Sequence, residues 1–96
     1  MAKFTVRVEL HGAGDFHYDA LYEAMAAEGF TKTITNVNGV VYDLPPGEYN
    51  YSSEESVGEV RTKVSAIADK IISNSVLVTK SSGRSWVGLD ETEEDD

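Results

Sequence analysis

Residues 3–10 read Lys-Phe-Thr-Val-Arg-Val-Glu-Leu and alternate strictly between polar and apolar side chains. Successive side chains of a β-strand point to opposite faces, so this period of two predicts a strand that is buried on one side only. The buried side is predicted to hold Phe4, Val6, Val8 and Leu10. We call the other side the open face, and it carries Lys3, Thr5, Arg7 and Glu9.

Two later stretches place apolar residues at helical spacing. The first predicts a helix over residues 15–28 with Asp15 as its N-cap, because the carboxylate can accept hydrogen bonds from the first helical turn. The second predicts a helix over residues 54–72, preceded by a capping box of Ser52 and Glu55.

The remaining stretches predict further strands. A β-branched run over residues 30–37 and an apolar run over residues 40–44 flank Asn38-Gly39, a strong hairpin signal. Residues 48–51 form a short extended segment with Tyr49 and Tyr51 on one face. Residues 75–80 predict a strand in the interior of the sheet, and residues 84–89 predict a short extra strand.

The order of these elements is strand, helix, strand, strand, helix, strand. A sheet that is half buried needs cover on its apolar face, and the two amphipathic helices supply it. Right-handed crossovers then favour the α+β fold called ferredoxin-like, a βαββαβ arrangement with an antiparallel sheet and two helices on one face. The open face must be solvated, pair with a second copy, or bind a ligand.

The composition predicts one cytoplasmic domain. The chain has 96 residues, of which 41% are hydrophobic. It has no cysteine, which excludes disulfides and cysteine nucleophiles and fits a reducing compartment. No apolar run reaches the ~20 residues that a membrane span needs. The charged, alternating start does not resemble a signal peptide.

Negative charge is concentrated at the C-terminus. The net charge is −9, and six of the last seven residues are acidic. Without residues 90–96 the chain has 11 acidic and 8 basic residues, a net charge of −3. We therefore predict a folded domain over residues 1–89 and an acidic, disordered tail over residues 90–96.

Candidate catalytic residues cluster around the end of the first strand. Arg7, Glu9, His11 and Asp15 lie closest to any chemistry at this edge. His11, Asp15, His17 and Asp19 match no strong zinc or calcium signature, so no metal site is predicted and the cofactor stays unknown. The chain also lacks a G-x-S-x-G nucleophile motif.

A second set of candidates has the chemistry of single-stranded RNA binding. Arg84 and Trp86, together with Arg7, combine a guanidinium with an aromatic ring, as such surfaces do. The alternative is that Trp86 packs over an edge of the core and Arg84 is solvated. Tyr42, Tyr49 and Tyr51 are interpreted as core or dimer contacts.

Several landmarks resemble the GhoS-type proteins and their uncharacterised bacterial relatives, over most of residues 3–89. They are the Lys3–Leu10 strand, a helix ending in Ala27-Glu28-Gly29-Phe30, the segment Val41-Tyr42-Asp43-Leu44-Pro45 leading to Glu48-Tyr49, and Val76-Leu77-Val78-Thr79 followed by Arg84-Ser85-Trp86. The resemblance implies a ferredoxin-like fold similar to small CRISPR-associated nucleases. It also implies an antitoxin endoribonuclease that cleaves the message of a membrane toxin.

The functional residues of that family match this chain in part. The predicted first helix contains no Arg or Lys, so the family's arginine there has no counterpart, and Tyr22 falls near its place. Leu10-His11 stand where related nucleases carry a carboxylate, with Glu9 one step away.

Two functions therefore stay open. One is an RNA-cleaving regulatory antitoxin, with RNA as its partner. The other is a non-enzymatic acidic module that binds a basic protein and regulates or inhibits it. A homodimer through the sheet face or the C-terminal strand is compatible with both functions.

Overall fold

In the computed structural model, which describes residues 1–92, the chain forms five strands and two helices. In chain order they are β1 (Ala2–Leu10), α1 (Asp15–Ala27), β2 (Thr33–Thr35), β3 (Val41–Asp43), β4 (Glu48–Ser53), α2 (Val57–Asp69) and β5 (Asn74–Ser81). Neither helix in this part of the chain is both long enough and apolar enough to cross a bilayer.

The main sheet has β1 at its centre, with β4 and β5 paired antiparallel on either side. A single bridge between Thr31 and Asn50 brings the chain before β2 alongside β4. β2 and β3 form a small antiparallel sheet of their own. The α+β, ferredoxin-like arrangement predicted from the sequence is confirmed, with its second strand reduced to the bridge at Thr31.

The apolar side of β1 forms the centre of the core, as its alternation predicts. Phe4 and Val6 are fully buried, and Val8 and Leu10 nearly so. They pack in one cluster with Leu21 and Met25 of α1 and with Val60, Val64 and Ala68 of α2. Both helices therefore cover the same face of the sheet. Burying a side chain of this size contributes roughly 1.5–3 kcal/mol.

The cap of α1 differs from the prediction, because Gly14, not Asp15, is the N-cap. The backbone N–H of Gly14 donates to Nδ1 of His17 at 3.0 Å, so the histidine ring closes the first turn. Asp15 is the first residue of the helix, where its negative charge still interacts favourably with the helix dipole.

The cap of α2 also lies later than predicted. The Ser56 hydroxyl accepts from the Glu59 backbone N–H at 3.1 Å, and the Glu59 carboxylate accepts from the Ser56 N–H at 2.7 Å. The predicted box at Ser52 and Glu55 is wrong, because Ser52 pairs with Lys3 as part of β4. The helix therefore starts at Val57.

Glu55 joins β4 to α2 through a hydrogen-bonded cluster. Its carboxylate accepts from the Tyr51 hydroxyl at 2.6 Å and from the Ser53 hydroxyl at 2.7 Å. It also pairs with the Lys63 ammonium at 3.1 Å. These contacts, the Tyr51 hydrogen bond first, lower the pKa of Glu55 from 4.5 to about 2. The ionised carboxylate is therefore favoured by folding.

This lowered pKa predicts a loss of stability in acid. The Glu55 contribution is fully present above the unfolded pKa of 4.5 and is lost as pH falls towards the folded pKa of about 2. We expect Glu55→Gln to destabilise the protein at neutral pH. In this variant the free energy of unfolding should also decrease less as the pH falls from 4.5 to about 2. Denaturant midpoints measured across this pH range test the prediction, with the exposed neighbour Glu54→Gln as control. Parallel curves for wild type and Glu55→Gln would contradict it.

The hairpin between β2 and β3 has a longer loop than the predicted two-residue turn. The Asn36 backbone N–H donates to the Val40 carbonyl, and the Asn36 side chain accepts from the N–H groups of Asn38 and Val40. Gly39 takes a positive φ of 84°. A three-residue loop with glycine in the left-handed region is a common hairpin connection.

β5 is an edge strand in the described sheet, not the interior strand predicted from its apolar run. β1 takes the central place and pairs with β4 on one side and with β5 on the other. The side chains of β5 alternate accordingly, with Leu77 on the open face at 61% exposure.

The predicted strand over residues 84–89 is wrong, and pairing occurs further along the chain. Residues 84–89 form no ladder, whereas Glu91 bridges Tyr42, and Asp90 and Thr92 exchange backbone hydrogen bonds with Asp43 and Val41. Residues 90–92 therefore lie beside β3 in place of the disorder expected from residue 90. The rest of the predicted tail, residues 93–96, lies outside the described residues.

Candidate functional site

Residues 82–92, called here the C-terminal segment, run from the end of β5 across the open face to β3. Nη1 of Arg84 donates to Oδ1 of Asn50 at 2.8 Å and to Oγ1 of Thr5 at 3.3 Å. Thr5 and Asn50 are directly opposite each other in the β1–β4 register. The guanidinium is therefore fixed over the middle of the open face.

Trp86 follows two residues later and packs edge-on against Tyr42 of β3, with the ring centroids 5.8 Å apart and the planes at 69°. These two rings and Arg84 line one shallow cavity of about 380 Å³. We call it the Trp86 cavity. Its remaining wall comes from Thr35, Asn36, Val37 and Ser85.

The open face of the main sheet is less acidic than the chain as a whole. The open face carries Lys3, Arg7 and Arg84 against two acids, Glu9 and Glu48, whereas the whole chain has 17 acidic and 8 basic residues. Burial lowers the pKa of the Arg84 guanidinium from its ordinary value. The group stays charged at neutral pH, because arginine titrates far above that range.

Arg7 and Glu9 lie next to each other on the open face, where they line a small groove with Ser75 and Leu77. Glu9 is opposite Ser75 in the β1–β5 register. His11 adjoins the same end, because its Nε2 lies 2.9 Å from the Ser75 hydroxyl and its Nδ1 lies 3.0 Å from the Ser73 hydroxyl. Three of the four predicted catalytic residues therefore lie together at the C-terminal end of β1, where the strand reaches the edge of the open face.

Asp15 is placed apart from these three residues. It lines a different cavity, formed by α1 and by the chain that leads into β4. Within residues 1–92, no group of three or more His, Asp or Glu side chains has the arrangement of a metal site.

Several residues of this surface could not be identified from sequence. Tyr42 was interpreted as a core or dimer contact, but it is half-buried and forms one wall of the Trp86 cavity. Asn50 anchors Arg84, and Ser73 and Ser75 hold the His11 ring. Their residue types did not identify them as site residues in the sequence, because Asn and Ser are common in turns and at strand ends. By contrast, Tyr49 and Tyr51 are core residues as predicted.

Comparisons of the chain with known protein families and with curated proteins give no match.

Proposed function

We propose that this protein binds single-stranded RNA across its open face and acts as a GhoS-like, RNA-cleaving antitoxin. The observation that supports binding is the Trp86 cavity, where Tyr42 of β3 comes together with Trp86 and the Arg84 guanidinium of the C-terminal segment. Single-stranded nucleic acid is bound by this combination of aromatic faces and cations, because every base has a π-face and every nucleotide carries a phosphate.

Arg84 keeps binding capacity after its internal contacts are made. Within residues 1–92, its hydrogen bonds all come from Nη1, which leaves the donors on Nε and Nη2 for a phosphate or a base edge. The contacts to Thr5 and Asn50 hold the side chain in place before a ligand arrives. A preorganised cation loses less conformational entropy on binding than a free one.

The acidic net charge does not prevent this mode of binding. The sheet surface next to the cavity carries Lys3, Arg7 and Arg84 against Glu9 and Glu48, a net charge of +1, and a short RNA strand would contact this surface alone. Phosphate contacts of this kind make the affinity for RNA depend on the salt concentration. With only three cations, the logarithm of the affinity falls slowly as the logarithm of the salt concentration rises.

Cleavage is proposed at the edge formed by Arg7, Glu9 and His11. RNA can be cut when a base removes the proton of a 2′-hydroxyl, whose oxygen attacks the adjacent phosphorus while the 5′-oxygen leaves with a proton. His11 is the candidate for proton transfer: Ser73 orients the ring through Nδ1, and Nε2 exchanges the Ser75 hydroxyl for the 2′-hydroxyl of the RNA. Arg7 is the candidate for stabilising charge on the phosphorane.

Binding is tested with Trp86 itself, the single tryptophan of the chain. We expect single-stranded oligoribonucleotides to quench its fluorescence at low salt. In anisotropy measurements with labelled RNA, Trp86→Ala and Arg84→Ala should each weaken binding about tenfold, since stacking on one base contributes ~1–3 kcal/mol.

The matched control is Val87→Ala, because Val87 is the next residue but is 94% exposed and lies outside the cavity. It should bind RNA like the wild type. An absence of quenching by any oligonucleotide, or an equal loss in Val87→Ala, would contradict RNA binding at this cavity.

The acidic protein-binding module is kept as a second candidate because of one observation. Asp43, Asp90 and Glu91 lie together where the C-terminal segment meets β3, which brings the start of the acidic run into the folded domain. A surface of this sign attracts a basic protein, and the attraction weakens with salt.

The module is tested without disturbing the β3 pairing. The double variant Asp90→Asn/Glu91→Gln keeps the backbone hydrogen bonds and removes two charges. If this function is correct, capture of a basic partner should fall in the double variant and in high salt, while RNA binding is unchanged. Capture that is equally strong in all conditions would exclude it.

A further inference from the structure

A second cavity, of about 360 Å³, lies between α1 and the turn that leads into β4. Three tyrosines, Tyr18, Tyr22 and Tyr49, and the two acids Asp15 and Asp19 of α1 line it. We call it the tyrosine cavity. Its volume falls within the range of small-ligand sites, and neither the RNA-binding surface nor the cleavage edge uses its interior.

Tyr49 is the most deeply buried of the three tyrosines that line this space. The residue is only 2% exposed and lines the cavity, and its hydroxyl makes no hydrogen bond within residues 1–92. Because no fully buried side-chain oxygen in this part of the chain lacks a partner, the hydroxyl itself is reached by solvent. By contrast, the Tyr18 hydroxyl accepts from the Leu10 N–H at 3.1 Å. Burial, followed by the neighbouring Tyr22 and Tyr18, raises the pKa of Tyr49 to about 12. The phenol is therefore neutral and can accept a hydrogen bond from a ligand.

The cavity already holds one ammonium group. Nζ of Lys32 lies 4.4 Å from the centroid of the Tyr22 ring, which is cation–π distance. Lys32 is an exposed residue on a flexible stem, so another cation of the same kind can take its place.

The charge of the lining favours a cation over an anion. Two carboxylates, Asp15 and Asp19, line the cavity with one ammonium, and within residues 1–92 neither carboxylate has an ion pair or a side-chain hydrogen bond. Leu44, Pro45 and Pro46 add an apolar wall beside them. An alkyl chain that ends in a positive nitrogen matches this combination.

We propose that the tyrosine cavity binds an alkylammonium group, supplied by a free amine or by a lysine side chain of another protein. The nitrogen lies over the Tyr22 ring and donates to the Tyr49 hydroxyl. The carboxylates of Asp15 and Asp19 neutralise its charge, and its alkyl stem contacts the proline wall.

The first test is a titration of the full chain with n-butylammonium, followed by the NMR resonances of Tyr22 and Tyr49. We expect saturable shifts of both residues. n-Butanol has nearly the same shape without the charge and should produce shifts at least tenfold weaker at equal concentration. No shift with n-butylammonium, or equal shifts with both compounds, would overturn the proposal.

Four variants sharpen the test. Tyr49→Phe keeps the ring and removes one hydrogen bond, which should weaken binding about fivefold. Asp19→Asn should weaken it as well. Lys32→Met keeps the stem but vacates the Tyr22 ring, so it should strengthen binding of n-butylammonium; weaker binding in this variant would indicate an anion site instead. Glu23→Gln, an exposed acid on the same helix, should change nothing.

The source of the amine is decided by comparing two probes. If 1,5-diaminopentane binds as tightly as a lysine-containing peptide, the ligand class is a free amine. If the peptide binds at least tenfold tighter, and a peptide with norleucine in place of lysine does not bind, the class is a basic protein. Thermal unfolding of each variant separates lost binding from lost folding.

Discussion

Replacing Gly47 by alanine is expected to destabilise the protein by about 3–5 kcal/mol, a large part of the stability of a small domain. Gly47 closes the turn from Pro45 to Glu48 with a φ of 84°, in the left-handed region that costs other residues roughly 1–2 kcal/mol. A Cβ there would also overlap the carbonyl oxygen of Val8. That oxygen belongs to β1, so it cannot move without disturbing the central strand.

Gly39→Ala is the matched control. Gly39 has the same φ of 84°, but a Cβ at this position meets no atom within 4 Å. It should therefore lose only the ~1–2 kcal/mol of the left-handed conformation. Urea unfolding of both variants measures the difference, which is the cost of the overlap with Val8. Equal losses of stability in the two variants would show that β1 shifts at Val8 to accommodate the added Cβ.

His11→Ala is expected to reduce RNA cleavage at least a hundredfold, since a positioned proton-transfer group contributes typically 10²–10⁴-fold. Arg7→Ala should have a loss of similar size, because the charge on the phosphorane would be left without its cation. Initial rates on a mixed pool of single-stranded RNA, with and without divalent metal, measure both effects. Trp86 fluorescence shows whether these variants still bind the substrate.

His17→Ala is the histidine control for this experiment. His17 caps α1 through Gly14 and packs at a tilt against the Phe16 ring, away from the open face. Asp15→Asn should also cleave at the wild-type rate, because Asp15 lines the tyrosine cavity and not the groove of Arg7 and Glu9. Undiminished cleavage in both His11→Ala and Arg7→Ala would exclude this edge as the catalytic site.

The sequence predicted those parts of the fold that depend on periodicity. The alternation of residues 3–10 correctly assigned the buried face of β1, since a strand has only two faces. The cap of α2 was misplaced because Ser-x-x-Glu occurs twice, at Ser52–Glu55 and at Ser56–Glu59. Only the pairing of β4 with β1, which extends to Ser53, excludes the first box. Pairing between distant segments leaves no local pattern.

The candidate site was predictable to a smaller extent, for the same reason. Arg84 and Trp86 were singled out by chemical type, but their partners Asn50 and Tyr42 come from other strands. The C-terminal segment pairs at residues 90–92, where a run of acids indicated disorder. Backbone hydrogen bonds of Asp90 and Thr92 to β3 do not depend on side-chain type, so composition could not predict them.

The central place of β1 has a consequence for how the protein is made. β1 leaves the ribosome before β4 and β5 have been synthesised. Lys3 can pair only after Ser52 on one side and Ser81 on the other have emerged. Closing contacts over such distances is slow, and an unpaired apolar strand is prone to aggregate. Nascent chains that stall before residue 74 would therefore expose one edge of β1, and chaperones that recognise extended apolar segments are expected to hold them.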